Sequence, residues 1–317
     1  WTDNGIKFFA PGGRKLSDEL EDRLESRLDE LVAARAPGAV PPVEPERDPS
    51  VGRAWAAALG ATVPSGALEG LRVVVDCANG AVSGLAPGVL RDLGCELVVL
   101  HDAPDGTNIN DGCGSTHPAE LQAAVLAHGA DVGLAFDGDA DRVLAVDERG
   151  ALVDGDHLIA LFALDLRARG RLAHDHVVVT VMTNLGFRHA MSGAGIEVVE
   201  TPVGDRHVLE ALQAGGWSLG GEQSGHIVFA DLATTGDGLL SGLQLLDLVR
   251  RSGRPLSALV ADAVAAEEAA LDGAGRILIR PSGTEPLVRV MVEAPSAEQA
   301  EAVAERLAAA VGAACAT

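Results

Sequence analysis

Apolar residues come along this chain in short runs, set between glycine- or proline-rich turns and longer stretches with helical spacing. The runs Arg72-Val-Val-Val-Asp76, Val132-Gly-Leu-Ala-Phe136, Val143-Leu-Ala-Val146 and His176-Val-Val-Val-Thr180 read as buried strands. Leu20, Leu24, Leu28 and Leu31 follow Ser17, an N-cap residue type, and predict a helix with one buried face. Ala300, Val303, Leu307 and Val311 predict a second such stripe on a helix from Ser296, after strands Arg276–Ile279 and Leu287–Val292.

The order of these elements repeats. Arg72–Gly80 resembles His176–Gly186, and each continues through a short helix to a second strand, Glu96–Leu100 or Glu197–Glu200. Two copies of one α/β unit are therefore expected. The predicted division is a remnant of a first α/β domain and a linker at 1–50, α/β units at 51–155 and 156–255, and a small α+β unit at 256–317. Pro37 to Pro49, rich in proline and charge, reads as the linker, and a helix is expected around 51–60. Asn79 and Asn184 stand where a strand passes into a helix, which suits turn-making or capping.

Length and composition narrow the function. The 317 residues are more than one core needs, and 47% hydrophobic with 22% charged residues describes an ordinary globular protein. A net charge of -22 argues against nucleic acid and anionic membranes as partners. An anionic substrate would need a local cluster of arginines, since lysine occurs only at Lys7 and Lys15. Cys77, Cys95, Cys113 and Cys315 lie far apart without zinc spacing, which predicts reduced thiols in a cytoplasmic protein.

The most informative loop is Asp137-Gly-Asp-Ala-Asp-Arg142, between two of the predicted strands. Alternate strand residues share a face, and a bend at Gly138 would draw the three carboxylates together. Oxygen ligands without His or Cys suit Mg²⁺ or Ca²⁺. Asp137, Asp139, Asp141 and Glu148 match four EF-hand ligand positions, but that loop needs glycine where Arg142 stands, and helical flanks. A plain solvated acidic turn is the structural alternative. Arg280-Pro-Ser-Gly-Thr-Glu-Pro-Leu-Val-Arg289 offers Ser282 and Thr284 hydroxyls, the backbone of Gly283 and two arginines, Arg280 and Arg289, a combination that cradles phosphate. In Glu222-Gln-Ser-Gly-His226, Glu222 and Ser224 are spaced to bind vicinal sugar hydroxyls. Asp205, in Thr201-Pro-Val-Gly-Asp-Arg206, could equally cap the helix that follows.

Taken together and in this order, these loops resemble the α-D-phosphohexomutase superfamily and, within it, the bacterial phosphoglucosamine mutases. Asp3-Asn-Gly-Ile-Lys-Phe-Phe9, Thr107-Asn-Ile-Asn110, Cys113-Gly-Ser-Thr-His-Pro118 and Gln223 carry the likeness to that branch. The resemblance implies repeated α/β domains around a central cleft, plus a small C-terminal phosphate-binding domain. It implies interconversion of glucosamine 6-phosphate and glucosamine 1-phosphate through a phosphoserine and a sugar bisphosphate. Asp137, Asp139 and Asp141 would hold Mg²⁺, and Lys7 and Arg142 would act at the reacting group. Asp205, Arg206, Glu222, Ser224 and His226 would hold the sugar, with Arg280, Ser282, Gly283, Thr284 and Arg289 on the distal phosphate. The expected partner is a small phosphosugar, and a homodimer is left open.

Two departures accompany the likeness. The family's nucleophilic serine lies in a Ser-His-Asn-Pro-type loop that these 317 residues do not contain, so the chain alone is expected to be inactive. An expected first strand of the last domain is also absent between Val260 and Ala265, which leaves that domain incomplete. Competing readings are a phosphomannomutase/phosphoglucomutase, a non-catalytic sugar-phosphate-binding paralogue, and a haloacid-dehalogenase-like phosphatase. The last wants its Asp-x-Asp on an early strand, whereas here the motif is mid-chain.

Overall fold

A computed structural model describes residues 8–34, 48–268, 276–281 and 288–293, together with 296, 300, 301, 304 and 305. Strands β1 (Phe9–Ala10) and β2 (Arg14–Lys15) form a hairpin that leads into helix α1 (Asp18–Ala33). Helix α2 (Pro49–Gly60) follows the undescribed linker region, with the Asp48 carboxylate accepting from Ser50 N–H. Pro at its first position suits a helix start, where the missing N–H costs nothing.

The two expected repeats are present as two sheets of matching topology. The first contains β3 (Arg72–Asp76), β4 (Glu96–Leu100), β5 (Val132–Phe136), β6 (Val143–Asp147) and β7 (Leu152–Val153), in the order β4-β3-β5-β6-β7. The second contains β8 (His176–Thr180), β9 (Glu197–Thr201), β10 (Leu219–Gly221) and β11 (Ile227–Phe229), in the order β11-β10-β8-β9. In both, the first strand pairs parallel with its two neighbours, and the third turns back on an antiparallel partner. Helices α3 (Ala86–Asp92) and α4 (Ala119–His128) make the parallel crossovers of the first sheet; α6 (Leu185–Gly193) and α7 (Asp205–Gly215) make those of the second.

Helices α5 (Gly155–Ala168) and α8 (Gly238–Ser252) join the units, and α9 (Leu256–Glu268) packs against α5 and α6. One continuous apolar cluster takes Val73 and Val75 from β3, Leu134 and Phe136 from β5, Val177 and Val179 from β8, and Leu243 and Leu246 from α8. Each such side chain contributes about 1.5–3 kcal/mol by burial, so the cluster ties both sheets to the same helices. Strands β12 (Arg276–Pro281) and β13 (Val288–Glu293) pair antiparallel, with Arg280 opposite Arg289.

Two local expectations, both at α1, need correcting. Ser17 occupies the N-cap position of α1 but makes no side-chain cap bond. The leucine stripe of α1 is exposed, with Leu28 at 60% and Leu31 at 53%, because no described element packs on that face. Asn184 does cap α6, accepting from Phe187 N–H, whereas Asn79 takes a left-handed turn conformation with φ 48. Of the C-terminal stripe, Val303, Leu307 and Val311 lie outside the described residues.

Candidate active site

Residues that follow the carboxyl ends of β3, β5 and β9 line one cleft, the usual ligand position in open α/β sheets. The loop 137–142 is the tip between β5 and β6, which close it through the Phe136↔Val143 register pair. Ligand oxygens of Asp137, Asp139 and Asp141 lie within 4.8 Å of one another. The bend differs from the expected one. Ala140, not Gly138, takes the left-handed conformation, with φ 59. Gly138 is required for close approach, since a Cβ there would sit 2.7 Å from Asn110 Nδ2 and 2.8 Å from Ile109. Ala81 N–H donates to Gly138 O at 2.8 Å, so the turn that follows β3 braces the loop.

Asp137 is buried, and Arg142 N–H donates to its Oδ1 at 3.1 Å. Arg142 Nε stands 3.6 Å from both Asp137 Oδ2 and Asp141 Oδ1. Burial, with Asp141 and Asp139 beside it, pushes the Asp137 carboxyl up to about 7. Three clustered carboxylates of this kind fit a hard divalent cation, which would let all of them ionise together.

A second group, Asp76, His101 and Cys113, has ligand atoms equally close. Its chemistry is structural. Both Asp76 oxygens already accept backbone N–H groups, from Ala78 at 2.9 Å and Gly114 at 2.8 Å, and His101 lies between Asp76 and Glu120 at 3.1 and 3.3 Å.

The loop 222–226 is the tip between β10 and β11, the counterpart of the acidic loop in the second sheet. Its Gly225, at φ 91, donates from its N–H to Glu222 O, while Gly225 O accepts from Val143 N–H at 3.1 Å. That bond ties the two loops directly. Glu222 Oε1 accepts from Gly204 N–H at 3.0 Å, which holds the segment before α7. The Ser224 hydroxyl is buried with no hydrogen-bond partner among the described residues.

His226 is the junction. Its buried ring places Nδ1 3.6 Å from Asp141 Oδ2 and Nε2 3.8 Å from Asp205 Oδ2. Gly236 makes room for it, since a Cβ at 236 would lie 2.4 Å from Nε2. Asp205 begins α7 but does not cap it: its carboxylate accepts from Lys15 Nζ and from its own neighbour, Arg206 N–H. Those bonds and the charges of Lys15 and His226 hold Asp205 below the usual carboxylate range, outweighing its burial, which acts the other way. Arg206 Nη2 donates to Glu21 Oε2 of α1 at 2.7 Å.

Lys7, Ser282, Gly283 and Thr284 lie outside the described residues, as do the side chains of Arg280 and Arg289. Lys15, Trp55 and Asp237 line the cleft, and sequence reasoning missed all three. The Trp55 indole donates to Asp237 Oδ2 at 3.0 Å, and Asp237 also caps α8 through Leu240 N–H. The sequence signal for Asp237 is its place before a glycine and an apolar helical run; Lys15 and Trp55 carry none.

Three family models match the chain between residues 54 and 310: Phosphoglucomutase/phosphomannomutase alpha/beta/alpha domain II at residues 54–150, domain III at 154–266 and the C-terminal domain at 249–310. A phosphoglucosamine mutase of Frankia casuarinae is 54% identical over 336 aligned residues, spanning 98% of this chain and 73% of its own length. The chain belongs to the phosphoglucosamine mutase family, within the phosphohexomutases. The family's Thermobifida fusca representative is 52% identical, with 96% of this chain and 74% of its own length covered. Among solved structures, a phosphoglucomutase/phosphomannomutase family protein of Burkholderia thailandensis superposes with a TM-score of 0.71 at 25% identity, over 92% of this chain and 70% of its own. An Aspergillus fumigatus N-acetylphosphoglucosamine mutase, solved with GlcNAc-6P and magnesium, shares the fold at TM-score 0.63 and 23% identity, over 81% of this chain and 64% of its own. The family is one of isomerases, and the α/β architecture expected from the sequence is the one observed.

Proposed function

We propose that this chain carries the metal, sugar and distal-phosphate parts of a site that interconverts glucosamine 6-phosphate and glucosamine 1-phosphate. The observation that carries this reading is the meeting of three loops at His226, 3.6 Å from Asp141 and 3.8 Å from Asp205. An acidic loop, a hydroxyl-binding loop and a third polar loop sharing one cleft suit a phosphorylated sugar turned between two orientations.

Asp137, Asp139 and Asp141 would hold Mg²⁺, which when bound offsets charge on the transferring phosphoryl group. Arg142 adds a guanidinium beside them, an electrostatic group placed where charge develops. Glu222 and the unpartnered Ser224 hydroxyl would accept and donate to sugar hydroxyls. Asp205 and Arg206 line the approach, and Arg280 with Ser282, Gly283, Thr284 and Arg289 would grip the phosphate that does not react. Lys7 is assigned, on family resemblance, to acid/base work or charge stabilisation at the sugar hydroxyl. In the exchange, the bond from phosphorus to the serine oxygen breaks as a bond to a sugar oxygen forms. The hydroxyl proton passes to a base in the cleft; once the bisphosphorylated sugar has turned over, its other phosphoryl group passes to the serine oxygen, the sugar oxygen it leaves takes up the proton, and the phosphoserine is restored.

The setting we assign is a cytoplasmic one. Cys77, Cys95 and Cys113 are free and buried, and no helix among the described residues is long and apolar enough to cross a membrane. The test is kcat/KM for glucosamine, mannose and glucose phosphates, measured on a protein that joins these residues to a Ser-His-Asn-Pro loop. Preference for the glucosamine phosphates is expected, whereas preference for mannose phosphate sinks the assignment. The 317 residues alone should show no turnover.

A further inference from the structure

Lys15 is one of two lysines in the chain, and it is not a free surface lysine. Its side chain is 26% exposed, and its position is fixed by a tight hairpin. Phe9 and Lys15 are register partners across β1 and β2, joined by Gly12 and Gly13 at φ 84 and 71. Gly13 seats the turn against the opposite wall, where a Cβ would come 2.7 Å from Thr234 Oγ1. Phe9 and Lys15 thereby face a cavity of about 370 Å³, which Trp55, Asp139, Asp141, Asp205 and Asp237 also line. That volume lies in the range of small-molecule sites.

The charges around this cavity are unbalanced. Four carboxylates face it, and among the described residues that line it Lys15 alone is a cation. A phosphate dianion entering such a space is repelled by the aspartates beyond what one divalent ion at the acidic loop offsets. We propose that Lys15 is a further substrate-binding residue, whose ammonium takes the phosphate group of the phosphosugar, with Asp205 as its counter-ion until the ligand arrives. The proposal rests on the phosphosugar reading above. A compact ammonium with three donors suits this exchange, because it can leave one oxygen for another without realigning a planar fork.

The test is titration of the 317-residue chain, in Mg²⁺, with glucosamine 6-phosphate and with unphosphorylated glucosamine, followed by tryptophan fluorescence and by calorimetry. Lys15→Met is expected to weaken the phosphosugar about ten- to hundredfold, the worth of a hydrogen bond to a charged group. Glucosamine binding should stay within about twofold, and Lys15→Arg should recover part of the loss. If Lys15→Met binds the phosphosugar as the parent does, Lys15 is not a phosphate ligand, while the phosphosugar reading stands. Equal loss for both sugars with a lowered melting temperature makes the Asp205 pair a structural clasp and overturns the proposal. A parent chain that binds glucosamine but not its phosphate overturns the phosphosugar reading and this inference together.

Discussion

The two sheets are the same scaffold with different chemistry at equivalent tips. In the first, the antiparallel turn after the third strand is Asp137–Arg142; in the second it is Glu222–His226. The first tip gathers three carboxylates within 4.8 Å, an arrangement that repels itself unless a cation joins it. The second mixes a carboxylate, a hydroxyl and an imidazole, which can bind a neutral polyol. Topology sets where a ligand group is presented, and a handful of loop residues set which group it is. The Val143 N–H to Gly225 O bond and the His226 junction then make one site of two tips.

Substitutions at matched positions should separate the two roles. The largest effect is expected at the acidic tip: Asp137→Asn should weaken Mg²⁺ binding about a hundredfold by calorimetry, while Glu222→Gln leaves it unchanged and weakens the sugar phosphate instead. Loss of Mg²⁺ binding on Glu222→Gln would mean the tips are not chemically distinct.

Next come the close approaches that hold the tips. A Cβ at Gly80 would lie 2.3 Å from Gly138 O, and one at Gly225 would lie 2.2 Å from Val143 O in a left-handed residue. Each alanine substitution should cost about 2–3 kcal/mol in denaturant unfolding, and Gly225→Ala should also loosen the sugar loop.

A third effect depends on pH and belongs to the junction of the units. Burial, with Asp154 adding to it, raises the Asp156 carboxyl to about 6, although Asn184 N–H bonds to it. Because the folded value exceeds the unfolded one, the ionised form is disfavoured by folding. The penalty is absent below about 4, grows as pH rises to about 6, and is constant above. Asp156→Asn should therefore stabilise the protein above pH 6, by at most about 3 kcal/mol, and give no gain near pH 3. Thermal melts across that range would show it, and a gain independent of pH would refute ionisation of the buried carboxyl as the cause.

The smallest effect tests the bend itself. Ala140 holds a left-handed conformation, so Ala140→Gly should be neutral or stabilising by up to about 1 kcal/mol without loss of Mg²⁺ binding.

How far the sequence foretold these features follows from the range of the forces involved. The strands, the repeat and the acidic tip were legible because apolar runs and alternating carboxylates are local signals. The bend at Ala140 was not, because Gly138 is needed for packing against Ile109 and Asn110, some thirty residues earlier in the chain, rather than for its φ. Lys15 with Asp205 and Trp55 with Asp237 were invisible for the same reason: each pair joins positions more than 180 apart. The α1 stripe misled in the opposite direction. Its spacing is that of a packed helix, yet burial depends on a neighbouring surface that spacing does not specify. The phosphate loop reached only register, with Arg280 opposite Arg289.

The most direct test of the shared cleft is an anomalous difference map from crystals grown with Mn²⁺ and glucosamine 6-phosphate. The account predicts a metal peak among Asp137, Asp139 and Asp141, with sugar density reaching from there to Glu222 and Ser224. A metal peak at Asp76, His101 and Cys113, or sugar density away from the 222–226 loop, would contradict it.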